Sequence, residues 1–306
     1  MNNWWKNSVI YQIYLKSFKD SNNDGIGDIN GLIEKIDYLK FINIDAIWIS
    51  PIHPSTDFDH GYDIIDYYDI DIKYGNLENF SNLIEILHKN NIKIIMDMVL
   101  NHTSIEHKWF QESRSSSKNV YRDWYIWKKP KKGKFPNNWK SAFGGSSWEF
   151  DSITEEFYLH SFLKEQPDLN WWNNDVVKEM IRILKFWKKK GVDGFRLDAV
   201  NWLIKDKYFR NNIPFIPSFI QKFRYDINRP ELYFILKKLK KKLNDSLLIG
   251  EIFSLPPGDS YLSASFLGNG KNMLDLTFDF SLLYKNWNSK AFYKTTKKWI
   301  NLIPKK

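Results

Sequence analysis

Apolar strands that alternate with amphipathic helices constrain the fold of this chain more than any other feature of its sequence. Each strand is apolar along most of its length, which is typical of strands buried on both faces, and helices separate successive strands. The predicted strands cover 9–15, 45–51, 93–101, 192–200, 246–253 and 272–280. The predicted helices cover 31–42, 77–90, 175–191, 231–243 and 289–303. This order predicts a parallel sheet built from β/α units.

The alternation is interrupted between the third and fourth strands. From about 103 to about 170 the chain becomes rich in Trp, Ser, Lys and Gly, and this stretch is too long for an ordinary loop. Its aromatic residues favour an inserted subdomain over disorder. We therefore predict an α/β fold, a (β/α)₈ TIM barrel of which about six units are present. The predicted parts are barrel (1–102), inserted subdomain B (103–170) and barrel continuation (171–306), with the barrel incomplete and no C-terminal β domain.

Composition narrows the classes of function. The 306 residues are 43% hydrophobic, enough for a large core, and they include no cysteine, which excludes disulfides and thiol chemistry. The net charge of +9 comes from lysines spread over the chain, including runs at 128–134 and 236–243, and this favours a solvated surface over a nucleic-acid site. No apolar run reaches the roughly 18 residues of a membrane helix, and no secretory signal precedes the first strand. We expect a cytoplasmic protein without nucleic-acid or membrane partners.

Charged and polar residues cluster at the carboxyl ends of the predicted strands, where barrels of this kind carry their chemistry. They are Asp63 after strand two, Asp97, Asn101 and His102 at strand three, Arg196 and Asp198 at strand four, and Glu251 at strand five. Each acid alone would more often be a structural ion-pair partner. Their joint placement favours a site in which one carboxylate attacks a sugar and another transfers a proton, as glycoside hydrolysis requires.

Four segments in succession resemble the signature regions of the α-amylase family of glycoside hydrolases. They are DMVLNHTS (97–104), QPDLN (166–170), GFRLDAV (194–200) and GEIF (250–253). Four further segments, 11–39, 61–70, 137–151 and 157–171, resemble the α-glucosidase and oligo-1,6-glucosidase branch of that family. The resemblance covers essentially the whole chain and implies a barrel enzyme that acts on small α-glucosides.

The resemblance also implies a role for individual residues. Asp198 matches the nucleophile and Glu251 the general acid/base, which in retaining enzymes lie about 5–5.5 Å apart. Arg196 precedes Asp198 by two residues, so on a strand it faces the same side and orients that carboxylate. The residues expected to contact the sugar are Tyr62, Asp63, His102, Phe143, Phe162, Gln166 and Arg196. For Phe143 and Phe162, packing in the core is an equally open interpretation.

A separate segment, 20–28, has the pattern of a metal-binding loop. Its oxygen-bearing side chains alternate, and Gly25 permits a sharp turn, as in the first half of an EF-hand loop. The bidentate Glu of a full EF-hand is absent, so spacing alone leaves an Asx-rich turn equally open. The resemblance implies a structural Ca²⁺ here, because the oligo-1,6-glucosidase branch carries one in this loop. The expected ligands are Asp20, Asn22, Asp24, Ile26 and Asp28.

The sequence departs from the family pattern: strands seven and eight and the C-terminal β domain are not found in it, and neither is one carboxylate. The family uses a third carboxylate, an Asp that follows a His near the end of strand seven, but every histidine here lies at or before His160. We therefore expect a fragment with unpaired edges at strands one and six, and without appreciable activity by itself.

Several interpretations of function stay open. The first is a retaining, exo-acting α-glucosidase. For its linkage the resemblance implies α-1,4, because in this branch a residue smaller than valine after the nucleophile is typical of α-1,4 enzymes, and Ala199 has that position. The others are a non-catalytic relic or scaffold, and a glucosyl transferase such as a sucrose isomerase. The sequence does not indicate an oligomeric state.

Overall fold

The structure is a computed structural model, and it describes residues 3–214, 221–254, 258–283 and 285–304. The strands in these residues are β1 (Ile10–Ile13), β2 (Ala46–Ile49), β3 (Lys93–Val99), β4 (Trp127–Lys128), β5 (Trp148–Asp151), β6 (Glu156–Leu159), β7 (Gly194–Asp198), β8 (Ile213–Pro214), β9 (Gln221–Lys222), β10 (Leu247–Gly250) and β11 (Leu276–Thr277).

A parallel sheet forms the centre of the fold. Its order among the described strands is β1-β2-β3-β7-β10-β11, and each neighbouring pair is parallel. Strands that follow one another along the chain therefore lie side by side, apart from the interruption after β3. This confirms the predicted partial barrel. The inner strands of the sheet are short and almost wholly buried, as β2 and β7 show at every position, whereas the edge strands β1 and β11 are partly exposed.

Helices lie between successive strands of this sheet. The α-helices of the described residues are α1 (Ile29–Glu34), α2 (Ile36–Phe41), α3 (Leu77–Lys89), α4 (Lys108–Ser115), α5 (Asn174–Lys189), α6 (Leu232–Leu243), α7 (Ser260–Ser265) and α8 (Ser289–Leu302). Short 3-10 segments cover Trp4–Asn7, Leu15–Ser17, Arg122–Trp124, Val200–Trp202 and Phe280–Leu282.

Local signals explain where the longer helices begin and end. Asn76 and Asn79 form a reciprocal capping box at the start of α3, and the Asn173 side chain accepts the backbone N–H of Asp175 at the start of α5. The apolar side of α5 repeats every three or four residues and is buried against the sheet. Gly191 follows the end of α5 with a φ of +108°, which glycine adopts readily and which would be strained for other residues.

Two predicted elements differ from the structure. The single helix predicted over 31–42 is divided at Lys35, whose φ of −98° and ψ of 8° leave the helical region between α1 and α2. The strand predicted over 272–280 has ladder bonding only in β11, Leu276–Thr277. Because β11 has a described neighbour on one side only, fewer of its residues can pair.

The segment between β3 and β7 contains its own small sheet. Its strands β4, β6 and β5 are antiparallel, and they pack the aromatic side chains of Trp139, Trp148 and Phe157 into a separate core cluster. This part of the chain is therefore folded, as its aromatic content suggested. The domain boundaries at 102 and 170 stay predictions.

The barrel is open in the part of the chain that the structure describes. β1 pairs only with β2, and β11 only with β10, so the sheet has two free edges there. Helix α8 lies next to this opening and buries only Thr295 among its described residues. The side chains of Trp4, Trp5 and Phe278 pack on the inner face of the sheet.

Candidate active site

One guanidinium lies at the centre of the polar groups at the carboxyl end of the sheet. Arg196 Nη1 donates to Asp97 Oδ1 at 2.9 Å and to Asp198 Oδ1 at 2.6 Å, and its Nη2 lies 2.9 Å from Glu251 Oε2. Arg196, Asp97 and Asp198 are buried, whereas the Glu251 side chain keeps 31% of its surface exposed. Asp198 and Glu251 therefore lie at the same end of the sheet and bind the same cation.

The register of the sheet produces this arrangement. In the β3–β7 pair, Asp97 is opposite Arg196, and Val99 is opposite Asp198. Arg196 and Asp198 are two residues apart on β7, so their side chains point to the same face. Glu251 follows β10 directly, and its backbone N–H donates to the carbonyl of Leu197 at 3.1 Å. Three neighbouring strands thus supply the four charged groups.

Burial and mutual repulsion raise the pKa values of these carboxyl groups. Burial, reinforced by the charge of Asp97 and opposed by Arg196, raises the pKa of Asp198 to about 6. Burial and then the negative charge of Asp198 raise the pKa of Glu251. A single guanidinium does not neutralise three carboxylates, so the site retains negative charge when all of them are ionised. Repulsion from the neighbouring Asp198 carboxylate makes Glu251 suited to hold a proton.

Aromatic side chains enclose the guanidinium. The guanidinium carbon of Arg196 lies 5.2 Å from the ring centre of Trp48 and 5.6 Å from that of Tyr62. Tyr62 Oη donates to Asp97 Oδ2 at 3.1 Å, and Trp48 Nε1 donates to the same oxygen at 3.2 Å. Asp97 is thus bonded on both oxygens inside the protein, where it holds Arg196 and Tyr62 in place.

A second polar group surrounds His102. Its Nε2 lies 3.0 Å from the Tyr62 carbonyl oxygen and 3.1 Å from Gln166 Nε2. Gln166 Nε2 also donates to Asp59 Oδ2 at 2.9 Å. Burial lowers the pKa of His102, so its imidazole is neutral near pH 7. The structure therefore brings Tyr62, His102 and Gln166 together, as expected.

Asp63 has different surroundings from those expected of a sugar contact. Its carboxylate accepts hydrogen bonds from Ser55 Oγ at 2.7 Å, from the Thr56 N–H at 3.1 Å and from the Thr56 hydroxyl, and the residue is fully buried. These contacts assign Asp63 to the support of its own loop rather than to a ligand. Asp59, in the same loop, was missed: it is partly exposed, and its charge acts on Asp198 as well as bonding Gln166.

The two phenylalanines have separate positions. The ring centre of Phe162 lies 5.2 Å from that of His102 and 5.4 Å from that of Trp202, beside the charged groups. Phe143 is 60% exposed, and its ring centre lies 5.8 Å from that of Phe162. Phe143 is therefore a surface residue, and packing in the core is excluded for it.

A buried lysine connects the segments that form the site. Lys205 Nζ lies 2.9 Å from Asp168 Oδ2 and 3.1 Å from Asn101 Oδ1, and it also bonds the carbonyl of Trp202. Lys205 and Asp168 are almost completely buried. These contacts join the end of β3, the inserted segment and the segment after β7. Lys205 had no predicted role, because its partner lies 37 positions earlier in the chain.

The loop at 20–28 is ordered by its own hydrogen bonds. Asp20 accepts the backbone N–H groups of Asn22, Asn23 and Gly25 at 2.7–3.0 Å, and Asp28 accepts that of Gly31 at the start of α1. These oxygens are of the type that Ca²⁺ takes. In the described ranges, however, no three His, Cys, Asp or Glu side chains are grouped so that they could hold a metal ion. The calcium expectation therefore stays a prediction.

No helix in the described part of the chain is both long and apolar enough to cross a membrane.

Known proteins resemble this chain closely. The profile of the α-amylase catalytic domain matches residues 12–305. An oligo-1,6-glucosidase of Bacillus cereus is 43% identical over 280 residues, which cover 90% of this chain and 50% of that enzyme. A trehalose-6-phosphate hydrolase of Bacillus subtilis is 42% identical over 300 residues, which cover 97% of this chain and 51% of that enzyme.

Solved structures agree with this comparison. An α-glucosyl transfer enzyme superposes with a TM-score of 0.93 at 38% identity, over 98% of this chain and 58% of that one. A trehalulose synthase mutant superposes with a TM-score of 0.89 at 38% identity, over 99% of this chain and 56% of that one. This chain spans about half the length of the curated relatives that it matches. It belongs to the α-amylase family, whose catalytic domain matches nearly the whole of this chain.

Proposed function

We propose that this chain carries the catalytic pair of a retaining, exo-acting α-glucosidase, with Asp198 as nucleophile and Glu251 as general acid/base. The observation that carries the proposal is the shared guanidinium, because Arg196 binds both carboxylates at the carboxyl ends of neighbouring strands. The names of the relatives support α-glucosides as substrates. They include oligo-1,6-glucosidases and an α-glucosidase of Schizosaccharomyces pombe.

In the first step, Asp198 attacks the anomeric carbon while the glycosidic oxygen leaves with the proton of Glu251. A covalent glucosyl-enzyme ester results. In the second step, the Glu251 carboxylate removes a proton from water, whose oxygen displaces Asp198 and restores both groups. Arg196 fixes Asp198 Oδ1 for the attack through its 2.6 Å bond.

The backbone after the nucleophile supports the acid. Ala199 has a positive φ of 41°, which an alanine adopts only when its surroundings impose it. In this conformation its N–H donates to Glu251 Oε2 at 3.2 Å. The bond joins the nucleophile's strand to the acid and sets the direction of the Glu251 side chain.

The glucose unit before the scissile bond would lie among Tyr62, His102 and Phe162. Tyr62 and Phe162 offer ring faces to the apolar sides of the sugar. Neutral His102 would hold Tyr62 and Gln166 in position around it through its Nε2 contacts. Gln166 and Asp59 add an amide and a carboxylate close to His102. We propose Asp59 in place of Asp63 as the acidic contact to the sugar hydroxyls.

Transfer of the glucosyl group to another sugar is a second candidate. It uses the same first step and differs in the acceptor that displaces Asp198. The pairing of Asp198 and Glu251 with Arg196 and the 38% identity with an α-glucosyl transfer enzyme support this candidate over a non-catalytic scaffold. The structural Ca²⁺ of the 20–28 loop, the linkage preference and the cytoplasmic location belong to the same set of proposals.

Hydrolysis of p-nitrophenyl α-glucoside tests the proposal. The 306-residue chain would be assayed alone, and also continued by the part of the Bacillus cereus enzyme that the match does not cover. We expect turnover from the continued chain only, because the family's third carboxylate stabilises the transition state and its loss typically slows the reaction at least about 10³-fold. Asp198→Asn should abolish that turnover. A continued chain that stays active with Asp198→Asn would contradict the assignment.

A further inference from the structure

A cavity of about 270 Å³ opens beside the acid/base. Glu251 lines it, so a group that receives the Glu251 proton would enter this space. The other principal lining residues are Phe162, Trp202, Phe253, Phe280 and Leu283. The cavity is therefore contiguous with the proposed reaction centre.

The walls of this cavity are predominantly apolar. The ring centre of Trp202 lies 5.4 Å from that of Phe162 and 6.1 Å from that of Phe253. Phe253 is 38% exposed, so part of its surface is free to contact a ligand. Aromatic walls of this kind bind aryl groups and the apolar faces of sugars.

No Lys, Arg or His is among the described residues that line the cavity. The positions that the structure does not describe at 215–220, 255–257 and 284 also carry none of these residues in the sequence. The nearest buried cations are already bound: Lys205, 5.5 Å from the Trp202 ring, pairs with Asp168, and Arg196 pairs with three carboxylates. Neither cation is available to a ligand in the cavity.

The surrounding charge is unfavourable to an anion. Even when Glu251 carries the proton that the acid role requires, Asp97 and Asp198 carry more negative charge than Arg196 balances, and a deprotonated Glu251 would add a charge at the cavity itself. A phosphate dianion in this space would meet like charge without a counter-ion, and the apolar walls would screen that repulsion less than water does.

We propose that this cavity holds the leaving group and selects a neutral one with an apolar face, such as an aryl group or an unphosphorylated sugar, while it rejects a phosphorylated sugar. The inference rests on the proposed function, since it takes Glu251 as the acid. It separates this chain in specificity from the trehalose-6-phosphate hydrolase that it resembles.

Binding to the 306-residue chain tests the inference. Isothermal titration calorimetry would compare p-nitrophenyl α-glucoside, trehalose and trehalose 6-phosphate, with released glucose measured in parallel. Trehalose and its phosphate differ only in the charged group, so their ratio of dissociation constants isolates its effect. We expect trehalose 6-phosphate to bind at least about tenfold more weakly than trehalose.

Ala142 provides a matched pair of variants. It lines the cavity and is exposed, so a longer side chain does not disturb the core. Ala142→Lys adds a cation, so it should reduce the ratio of the dissociation constant of trehalose 6-phosphate to that of trehalose at least about threefold. Ala142→Met, of similar length but neutral, should leave the ratio unchanged.

Two results would overturn the inference. The phosphorylated sugar could bind as tightly as trehalose, in which case the leaving-group assignment fails while the catalytic proposal stands. Alternatively, none of the three ligands binds, which overturns a leaving-group site in this chain, while the turnover of the continued chain decides the catalytic proposal separately.

Discussion

The buried pair of Lys205 and Asp168 allows a quantitative test of how the site is held together. Replacing Lys205 with Met keeps most of the buried stem but removes the ammonium that bonds Asp168, Asn101 and the Trp202 carbonyl. The Asp168 carboxylate would then be buried without its cation. Breaking a buried pair in this way typically costs about 3–5 kcal/mol of the free energy of unfolding.

An exposed ion pair with the same distance between its charged atoms provides the control. Lys178 Nζ lies 2.9 Å from Asp175 Oδ1, as Lys205 Nζ does from Asp168 Oδ2, but those side chains are 54% and 64% exposed. Lys178→Met should therefore cost less than about 0.5 kcal/mol. Urea unfolding followed by tryptophan fluorescence measures both variants.

A double variant separates the charge pair from packing. Asp168→Asn combined with Lys205→Met removes both charges, so the uncompensated carboxylate disappears and part of the lost stability should return. We expect a coupling of at least about 1 kcal/mol between the two positions. The reasoning is refuted if Lys205→Met costs no more than Lys178→Met, because burial would then add nothing to the pair.

Three further predictions concern other regions of the chain. Burial raises the pKa of Asp226 from 3.8 in the unfolded chain to about 6, so its ionisation destabilises the fold increasingly as the pH rises from 3.8 through 6. Asp226→Asn should then stabilise the protein by up to about 3 kcal/mol above pH 6. Urea unfolding should show this gain in the free energy of unfolding shrinking towards pH 4, and a gain that does not depend on pH would contradict the prediction. Calcium should raise the midpoint of thermal unfolding of the wild type and not that of Asp24→Asn, because an ion that binds the native state stabilises that state. Equal responses of the two proteins would exclude the 20–28 loop as the site. With Ala199 after the nucleophile, the continued chain should hydrolyse maltose faster than isomaltose, and the reverse order would overturn the α-1,4 preference.

The alternation of apolar strands and helices was sufficient to predict the order and direction of the central sheet. Hydrophobic pattern reports burial, and the strands of a parallel sheet are buried on both faces. The hydrophobic pattern does not show where the pairing between strands ends. The last strand was therefore predicted over nine residues, 272–280, whereas it pairs only at Leu276–Thr277. The break at Lys35 also leaves the apolar pattern of the helices unchanged, and no turn residue marks it.

The candidate site was predictable where strand geometry determines it. Arg196 and Asp198 share a face because they are two residues apart on one strand, and Glu251 follows the next strand of the sheet. A loop has no such periodicity, and this is why Asp63 was predicted from the sequence and Asp59 was not considered. Which of these two acids supports the loop and which faces the site depends on the hydrogen bonds of Ser55 and Thr56.

The central claim is that Asp198 and Glu251 form the catalytic pair of a retaining enzyme. Proton NMR of the first glucose released from p-nitrophenyl α-glucoside by the continued chain measures this directly, because two displacements at the anomeric carbon preserve its configuration. We predict that α-glucose appears first and that Asp198→Asn releases none. Release of β-glucose as the first product would contradict the claim, since it requires a single displacement by water without a glucosyl-enzyme.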